Sequence, residues 1–192
     1  MRTALLLIDV QKVYTTPGSP LFVEGHEAVI ANMNRLVRAA EKRHDLLVYV
    51  RHVHKKDGSD SGRMFDYLGT SGEIGFLKDS AEVQFDPGMT IAPGALQLTK
   101  SRYSAFVGTG LDETLRQRQI DRIAVTGFMT NYCCETTARH GHDLDYYVDF
   151  VIDATGCPDA SAEIKQPLIK SVASAVLLGG FARVCTTDEY LA

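Results

Sequence analysis

The chain has 192 residues, of which 45% are hydrophobic and 23% charged, with a formal net charge of -4 at pH 7. This composition is typical of a globular protein and excludes a disordered chain. The sequence has no cluster of Lys and Arg to bind phosphates, so we expect no nucleic-acid partner. The length is typical of one domain, and we predict that residues 1–192 form it.

The sequence predicts neither a membrane-spanning segment nor a secretion signal. The apolar run at residues 4–8 ends at Asp9, whereas a spanning helix needs about 20 apolar residues and a signal peptide about 7–15. The four cysteines are too few for a disulfide scaffold and form no C-x-x-C motif. We therefore expect a cytoplasmic protein with reduced thiols and no membrane contact.

Short apolar runs alternate with helical patterns along the chain. In chain order, strands are predicted at 4–8, 46–50, 95–98, 123–125, 147–152 and 182–185, and helices at 28–40, 111–118, 131–142 and 161–178. Ser161 is expected to cap the last helix and Pro167 to kink it. Residues 54–95 show no period, and a segment of this length is commonly functional, so we expect it to shape a pocket.

The alternation of strands and helices predicts a doubly wound α/β fold. Its six strands form a mainly parallel sheet with helices on both faces, a Rossmann-like three-layer arrangement. Sites in such sheets lie outside the carboxyl ends of the strands. Asp9 follows the first predicted strand, Lys100 the third, and the loop 127–133 the fourth, so we expect these residues to meet.

Two adjacent cysteines, Cys133 and Cys134, follow the turn after the fourth strand. The first turn of a helix has free N–H groups and a positive dipole end, which lower the pKa of a thiol and can hold an oxyanion. Neighbouring helical residues are rotated by about 100°, so at most one thiol faces the cleft. Cys134 forms a row of small residues with Ala138 and Gly141 and is expected to pack against the sheet. The local sequence alone is equally consistent with two structural thiols.

Asp9 and Lys100 have ordinary interpretations when each is taken alone. Asp9 can be interpreted as a residue that forms a turn or caps a helix, and Lys100 as a solvated surface lysine. Together, they place a carboxylate at the carboxyl ends of the strands beside a cation. The cation favours the charged form of Asp9 and the thiolate form of a cysteine. His52 and His54 share a face of a strand, but no carboxylate lies between them, and we predict no metal and no other cofactor.

Three motifs resemble the isochorismatase-like cysteine hydrolases, a family that includes nicotinamidases, N-carbamoylsarcosine amidases and isochorismatases. The run Leu7-Ile8-Asp9-Val10-Gln11 resembles the aspartate motif of that family at the end of a strand. Its lysine loop is similar to residues 100–106, and its G-x-x-T-x-x-C turn is similar to residues 127–133. The resemblance extends from about residue 3 to residue 185.

The resemblance implies a catalytic triad, which would consist of Asp9, Lys100 and Cys133. It also implies an oxyanion hole from the backbone N–H groups of Met129 and Cys133, and a cis peptide bond that enters Met129. A homo-oligomer, either a dimer or a tetramer, that acts on a small molecule is expected. The motif positions expected to bind the substrate are Gln11, Tyr14, Tyr103 and Thr130.

The sequence departs from the family at two points. Nicotinamidases bind a metal through an aspartate and histidines near the second strand, and Arg51-His52-Val53-His54 lacks that aspartate. Nicotinamide is therefore a poorer candidate substrate. Tyr14 stands where the family often has Phe, which changes the polarity of the pocket.

The favoured function is hydrolysis of a carboxamide or ureido C–N bond, with Asp9 as the base and Cys133 as the nucleophile. One alternative is a vinyl-ether hydrolase of the isochorismatase type, in which Asp9 is a general acid and Cys133 is dispensable. A second is a non-catalytic domain that binds a ligand or a partner. A third is a thiol redox protein that uses Cys133 and Cys134.

Overall fold

The computed structural model describes residues 1–66 and 75–192. Its strands are β1 (Thr3–Ile8), β2 (Leu46–His52), β3 (Leu96–Lys100), β4 (Arg122–Phe128), β5 (Tyr147–Gly156) and β6 (Arg183–Cys185). They form one sheet in the order β3-β2-β1-β4-β5-β6, and each pair of neighbours is parallel. The predicted doubly wound α/β fold is confirmed.

Helices cover both faces of the sheet. They are α1 (Lys12–Thr15), α2 (His26–Arg43), α3 (Leu111–Gln117), α4 (Glu135–Asp143), α5 (Gln166–Leu178) and α6 (Thr187–Leu191), and a π-helical turn (Thr130–Cys134) precedes α4. The sequence of β1 is continuously apolar because both faces of this strand are buried. Leu5 and Leu7 pack into a core with Met33 of α2, whereas Leu6 and Ile8 pack into a second core on the opposite face.

The start of α5 corrects one expectation. Lys165, not Ser161, is the residue before the first helical turn, and Pro167 lies inside that turn, where its missing N–H breaks no helical hydrogen bond. The Ser161 hydroxyl instead accepts hydrogen bonds from the N–H groups of Glu163 and Ile164 at 3.2 and 3.1 Å. This local turn keeps residues 161–164 out of the helix.

The strand order changes direction between β1 and β4, and a crevice is expected at their carboxyl ends. Gly127 of β4 pairs there with Ile8 of β1 and has a φ of +116°. A Cβ atom at Gly127 would lie 1.9 Å from the Ile8 carbonyl oxygen. Glycine is therefore required for β4 to end beside β1, and this close approach brings the turn after β4 next to Asp9.

The long segment before β3 has no helix or strand in its described parts, residues 54–66 and 75–95. Isolated bridges join Gln11 to Phe85 and His54 to Leu77, so the segment packs against the ends of β1 and β2. The expectation that residues 67–74 help to shape the pocket lies outside the described residues. No helix in the described part of the chain is long and apolar enough to cross a membrane.

Candidate active site

Asp9 follows β1 directly, and its side chain is fully buried. Its N–H donates to the Val50 carbonyl at 2.8 Å, which fixes Asp9 to the end of β2. Its φ of +52° is in the left-handed region, which non-glycine residues rarely adopt. Such conformations are concentrated at functional sites, where the surrounding structure maintains them.

Lys100 is the last residue of β3, and its side chain crosses the end of β2 to reach Asp9. In the sheet Lys100 is paired with His52, and its Nζ lies 2.8 Å from Asp9 Oδ2, with both side chains fully buried. Within residues 1–66 and 75–192, neither carboxylate oxygen of Asp9 has a hydrogen-bond partner of regular geometry. The contact with Lys100 is therefore an ion pair.

The Cys133 thiol is the third group at this position. Its Sγ lies 3.2 Å from Lys100 Nζ and within 4.8 Å of an Asp9 carboxylate oxygen. The Cys134 Sγ is directed elsewhere, 3.7 Å from the Thr126 carbonyl oxygen, and is fully buried. The two thiols thus contact different groups, as the rotation between neighbouring residues predicts, and this arrangement does not favour a dithiol redox pair.

The backbone between β4 and Cys133 has the predicted cis peptide bond, between Phe128 and Met129. The Met129 carbonyl accepts hydrogen bonds from the N–H groups of Tyr132 and Cys134, both at 3.2 Å. The π-helical turn replaces the regular helix that was expected from Asn131, and α4 begins after it. Such widened turns are frequent at functional sites.

Burial dominates the protonation equilibria of the three groups. It raises the pKa of the Cys133 thiol to about 12, although the Lys100 ammonium acts in the opposite direction. Burial also raises the pKa of Asp9 against the effect of Lys100. Burial lowers the pKa of Lys100, but Asp9 and Cys133 outweigh it, and the net direction is upward. The expectation of a lowered thiol pKa is wrong, because desolvation of the buried thiol outweighs the effect of the Lys100 ammonium.

The Gln11 and Thr130 side chains form hydrogen bonds within the fold. Gln11 Nε2 donates to the carbonyls of His52 and Val83 at 3.0 and 3.2 Å, and its Oε1 accepts the His52 N–H at 2.8 Å. Thr130 Oγ1 donates to Thr155 Oγ1 at 2.9 Å. Both donors of Gln11 hold β2 and the segment after it, and its expected contact with a substrate stays a prediction.

Two of the predicted substrate-binding residues are aromatic and adjoin the site. The ring of Tyr14 stacks on Phe128 at 5.4 Å, and burial, with Cys133 and Asp9 nearby, raises the pKa of its hydroxyl well above the usual value. The ring of Tyr103 lies 5.5 Å from that of Tyr132, and burial, with Tyr132 and Cys133 nearby, raises its pKa as well. Both phenols therefore remain neutral.

A chain of side chains that the sequence did not predict leads from Lys100 to the surface. His52 Nδ1 lies 3.5 Å from Lys100 Nζ, the His52 and His54 Nε2 atoms are 3.0 Å apart, and His54 Nδ1 lies 3.3 Å from Asp60 Oδ1. An ammonium only donates and a carboxylate only accepts, so His52 carries its proton on Nε2 and His54 on Nδ1. Burial lowers the pKa of His52 to about 2, and the neighbouring Lys100 and His54 act in the same direction. The His52 imidazole is therefore neutral.

In residues 1–66 and 75–192, three side chains lie close enough together to share a metal ion. Asp9, His52 and Cys133 offer ligand atoms that all lie within 4.8 Å of one another, and these donor types bind zinc. However, Lys100 Nζ lies 2.8 Å from the Asp9 carboxylate and 3.2 Å from the Cys133 sulfur. Because its positive charge already lies beside two of the three donors, the arrangement fits an ion pair better than a divalent ion.

Two adjoining clefts of about 350 and 300 Å³ open beside the site and share Val53, Asp60 and Thr99 as lining residues. The larger one is lined by His54, and the smaller one reaches Lys100. Both volumes are within the range of small-molecule sites. Neither cleft is lined by Asp9 or Cys133, so the small-molecule substrate stays a prediction.

The doubly wound sheet, with a buried thiol, carboxylate and ammonium where its strand order reverses, has the architecture of a cysteine hydrolase. Residues 3–189 match the isochorismatase domain family. The chain therefore belongs to this family.

Solved structures of similar proteins agree with this assignment. A cysteine hydrolase from Pseudomonas syringae pv. phaseolicola 1448A is 31% identical, with a TM-score of 0.90 over 99% of this chain and 91% of that chain. An isochorismatase family protein from Desulfovibrio vulgaris subsp. vulgaris str. Hildenborough is 26% identical (TM-score 0.85; 98% and 95% covered). An isochorismatase from Pseudomonas putida KT2440 is 28% identical (TM-score 0.79; 98% and 89% covered).

Proposed function

We propose that the chain is an amidohydrolase that cleaves the C–N bond of a small carboxamide or ureide through a thioester at Cys133. The observation that carries the proposal is the convergence of three buried groups. Lys100 Nζ lies 2.8 Å from Asp9 Oδ2 and 3.2 Å from Cys133 Sγ. A nucleophile beside a base and a cation is the arrangement that covalent acyl transfer requires.

The reaction begins with the neutral thiol, since burial raises the pKa of Cys133 to about 12. Asp9 takes the thiol proton as the sulfur attacks the carbonyl carbon, so that the thiolate forms only during the attack. The Lys100 ammonium stabilises the negative charge on the sulfur. The raised pKa of Asp9 also makes this carboxylate a stronger base than an exposed one.

The attack places a negative charge on the carbonyl oxygen, and the backbone N–H groups of Met129 and Cys133 are the proposed donors to it. In support, the Met129 N–H donates to no acceptor in the described part of the chain. One oxyanion-hole donor contributes about 3 kcal/mol to transition-state stabilisation in other enzymes. The protonated Asp9 then gives its proton to the leaving nitrogen, and ammonia or an amine departs.

The second half of the reaction releases the acid. Asp9, again a carboxylate, takes a proton from water, and the resulting hydroxide attacks the thioester carbonyl. The C–S bond breaks, and the proton held by Asp9 returns to the Cys133 sulfur. This sequence consumes one water and needs no cofactor. We propose that it takes place in a cytoplasmic homo-oligomer of this single domain.

The second candidate function is vinyl-ether hydrolysis, in which Asp9 donates a proton to carbon. One observation favours this function. Burial raises the pKa of Asp9 in spite of the nearby Lys100 cation. A carboxyl with a raised pKa is a better general acid at neutral pH. The buried thiol in contact with Lys100 has no function in that reaction, so we place it second.

A substrate panel distinguishes the two functions. The wild-type enzyme is incubated with small amides, ureas and isochorismate, and the release of ammonia, acid or pyruvate is measured in parallel. We expect ammonia or an amine from at least one amide or urea and no turnover by Cys133→Ala. Turnover of isochorismate alone, retained in Cys133→Ala, would overturn the proposal in favour of the vinyl-ether function.

A further inference from the structure

A cleft of about 600 Å³ lies at the amino ends of the strands, at the opposite end of the sheet from the candidate active site. Thr3, Arg122 and Arg183 are the first residues of β1, β4 and β6, and all three line it. Arg43, the last residue of α2, lines it as well. Strand β1 has six residues, or about 20 Å of length, between this cleft and Asp9. The cleft is therefore separate from the three buried catalytic groups.

The charged side chains of this cleft are three arginines and two aspartates, which are Arg43, Arg122, Arg183, Asp45 and Asp149. Their positive excess contrasts with the net charge of -4 of the whole chain. Two further arginines, Arg2 and Arg118, line an adjoining cleft that shares Arg43 and Asp45 with the first one. A concave surface with an excess of one sign of charge concentrates small ions of the opposite sign.

A buried carboxylate holds two of the arginines side by side. Asp149 of β5 has a side chain that is only 1% exposed. Its Oδ1 accepts hydrogen bonds from Arg122 Nη1 at 2.9 Å and from Arg183 Nε at 2.7 Å. One guanidinium is enough to balance the charge of a buried carboxylate, so the second leaves a positive charge in excess. The Arg183 side chain is 53% exposed, and this charge is accessible to a ligand.

The third arginine, Arg43, is also held in place. Its guanidinium carbon lies 5.2 Å from the ring centroid of Tyr190, and its Nε donates to Asp45 Oδ2 at 2.8 Å. Within residues 1–66 and 75–192, the terminal nitrogens of Arg43 and Arg183 and the Nη2 of Arg122 donate to no acceptor. The cleft thus has three positioned guanidiniums with unused N–H groups, and positioned donors reduce the entropic cost of binding a ligand.

We propose that this cleft binds the phosphate group of a small phosphorylated molecule. The oxygens of a phosphate point in several directions, so they can accept hydrogen bonds from three guanidiniums at once, whereas the two oxygens of a carboxylate lie in one plane. The volume of about 600 Å³ is that of a small-molecule site. The proposal does not rest on the amidohydrolase function, because the catalytic groups lie at the other end of the sheet.

Isothermal titration calorimetry with inorganic phosphate and pyrophosphate as probes tests the proposal. Arg183→Gln removes one guanidinium and leaves Arg122 to pair with the buried Asp149. We expect this variant to bind pyrophosphate about 10-fold more weakly than the wild type, as for the loss of one hydrogen bond between charged groups. The matched control is Arg139→Gln, because Arg139 is a partly exposed arginine that pairs with Glu135 at 2.7 Å outside the cleft. Its affinity should equal that of the wild type.

Arg43→Gln is a second variant, which keeps the test valid if Arg183→Gln does not fold. Arg43 pairs with Asp45 at the protein surface and contacts no part of the buried Asp149 network. We expect the same weakening of pyrophosphate binding. Equal affinity of the wild type and of a folded variant at either position would overturn the proposal, because the probe would then bind elsewhere.

Thermal unfolding of the wild type provides a readout that depends on no variant. A ligand that binds only the folded chain should raise Tm by about 3 to 6 °C at ten times its Kd. We expect this rise with pyrophosphate, and a smaller one or none with succinate at the same concentration and ionic strength. A wild-type chain that binds neither phosphate nor pyrophosphate at millimolar concentrations would overturn the proposal. An equal rise with succinate would also overturn it, because the cleft would then not select phosphate.

Discussion

Lys100 Nζ and Asp9 Oδ2 are 2.8 Å apart with both side chains fully buried. Removal of two charges from water costs several kcal/mol for each ion, so a buried pair of this kind contributes little net stability. The Asp9 oxygens also lack regular hydrogen bonds within the described ranges, although a buried carboxylate normally has them. The pair is therefore better explained by the chemistry of the adjacent Cys133 thiol than by stability.

Replacement of the two neighbouring cysteines should have opposite results. Cys133→Ala removes the thiol beside Lys100, and we expect turnover to fall by at least about 10³-fold. Cys134→Val keeps a small apolar side chain in the core, with an expected loss of stability below about 1.5 kcal/mol and activity near that of the wild type. Steady-state kinetics and urea unfolding of both variants test this, and an active Cys133→Ala beside an inactive Cys134→Val would contradict the assignment.

The pH dependence should identify the role of Asp9. Burial raises its pKa above the ordinary value of 3.8, and a base must be deprotonated, so kcat/KM should fall as pH decreases through that raised pKa. The Lys100 pKa is raised above 10.5, so we expect no loss from Lys100 deprotonation below that pH. If Asp9 is instead a general acid, kcat/KM will decrease as pH rises through the same pKa.

Gly127 should tolerate no side chain. A Cβ atom would lie 1.9 Å from the Ile8 carbonyl oxygen, and its φ of +116° is unfavourable for alanine. We expect Gly127→Ala to cost more than about 3 kcal/mol or to prevent folding. Gly180→Ala is the control, because a Cβ there meets no atom within 4 Å. Urea unfolding of both variants measures the difference, and equal free energies of unfolding would refute the close approach of β1 and β4.

Turnover should not depend on a metal ion. The positive charge of Lys100 lies 2.8 Å from Asp9 and 3.2 Å from Cys133, and Asp60 engages the outer nitrogen of His54. We therefore expect prolonged dialysis against a chelator to leave kcat unchanged, with the metal content measured by mass spectrometry. Activity that disappears on chelation and returns with zinc or iron would contradict this prediction.

Much of the fold could be predicted because a strand buried on both faces leaves a continuous apolar run, as in β1. The ends of elements were less predictable, since Ser161 has the residue type of a helix cap but forms a turn of its own. The positions of Asp9, Lys100 and Cys133 followed from the rule that sites lie at the carboxyl ends of parallel strands. Their charge states did not follow from it.

The remaining features of the site depend on tertiary contacts that leave no local pattern in the sequence. The pKa of Cys133 is raised because other parts of the chain bury the thiol. The position of Cys133 at a helix start predicts a lowered pKa instead. Asp60 lies in a segment without periodicity and reaches His54 only in the folded chain. The sequence signal that could have located this contact is the spacing of His52 and His54, whose side chains share a face of the strand.

Mass spectrometry of the enzyme under turnover tests directly whether Cys133 forms a covalent acyl intermediate. A slowly hydrolysed amide, or an aldehyde analogue of one, is added, and the protein is quenched in acid and digested. We predict a mass increase equal to the acyl group or the aldehyde on the peptide that contains Cys133, and none in Cys133→Ala. Turnover of amides without any adduct on that peptide, and with full activity in Cys133→Ala, would contradict it.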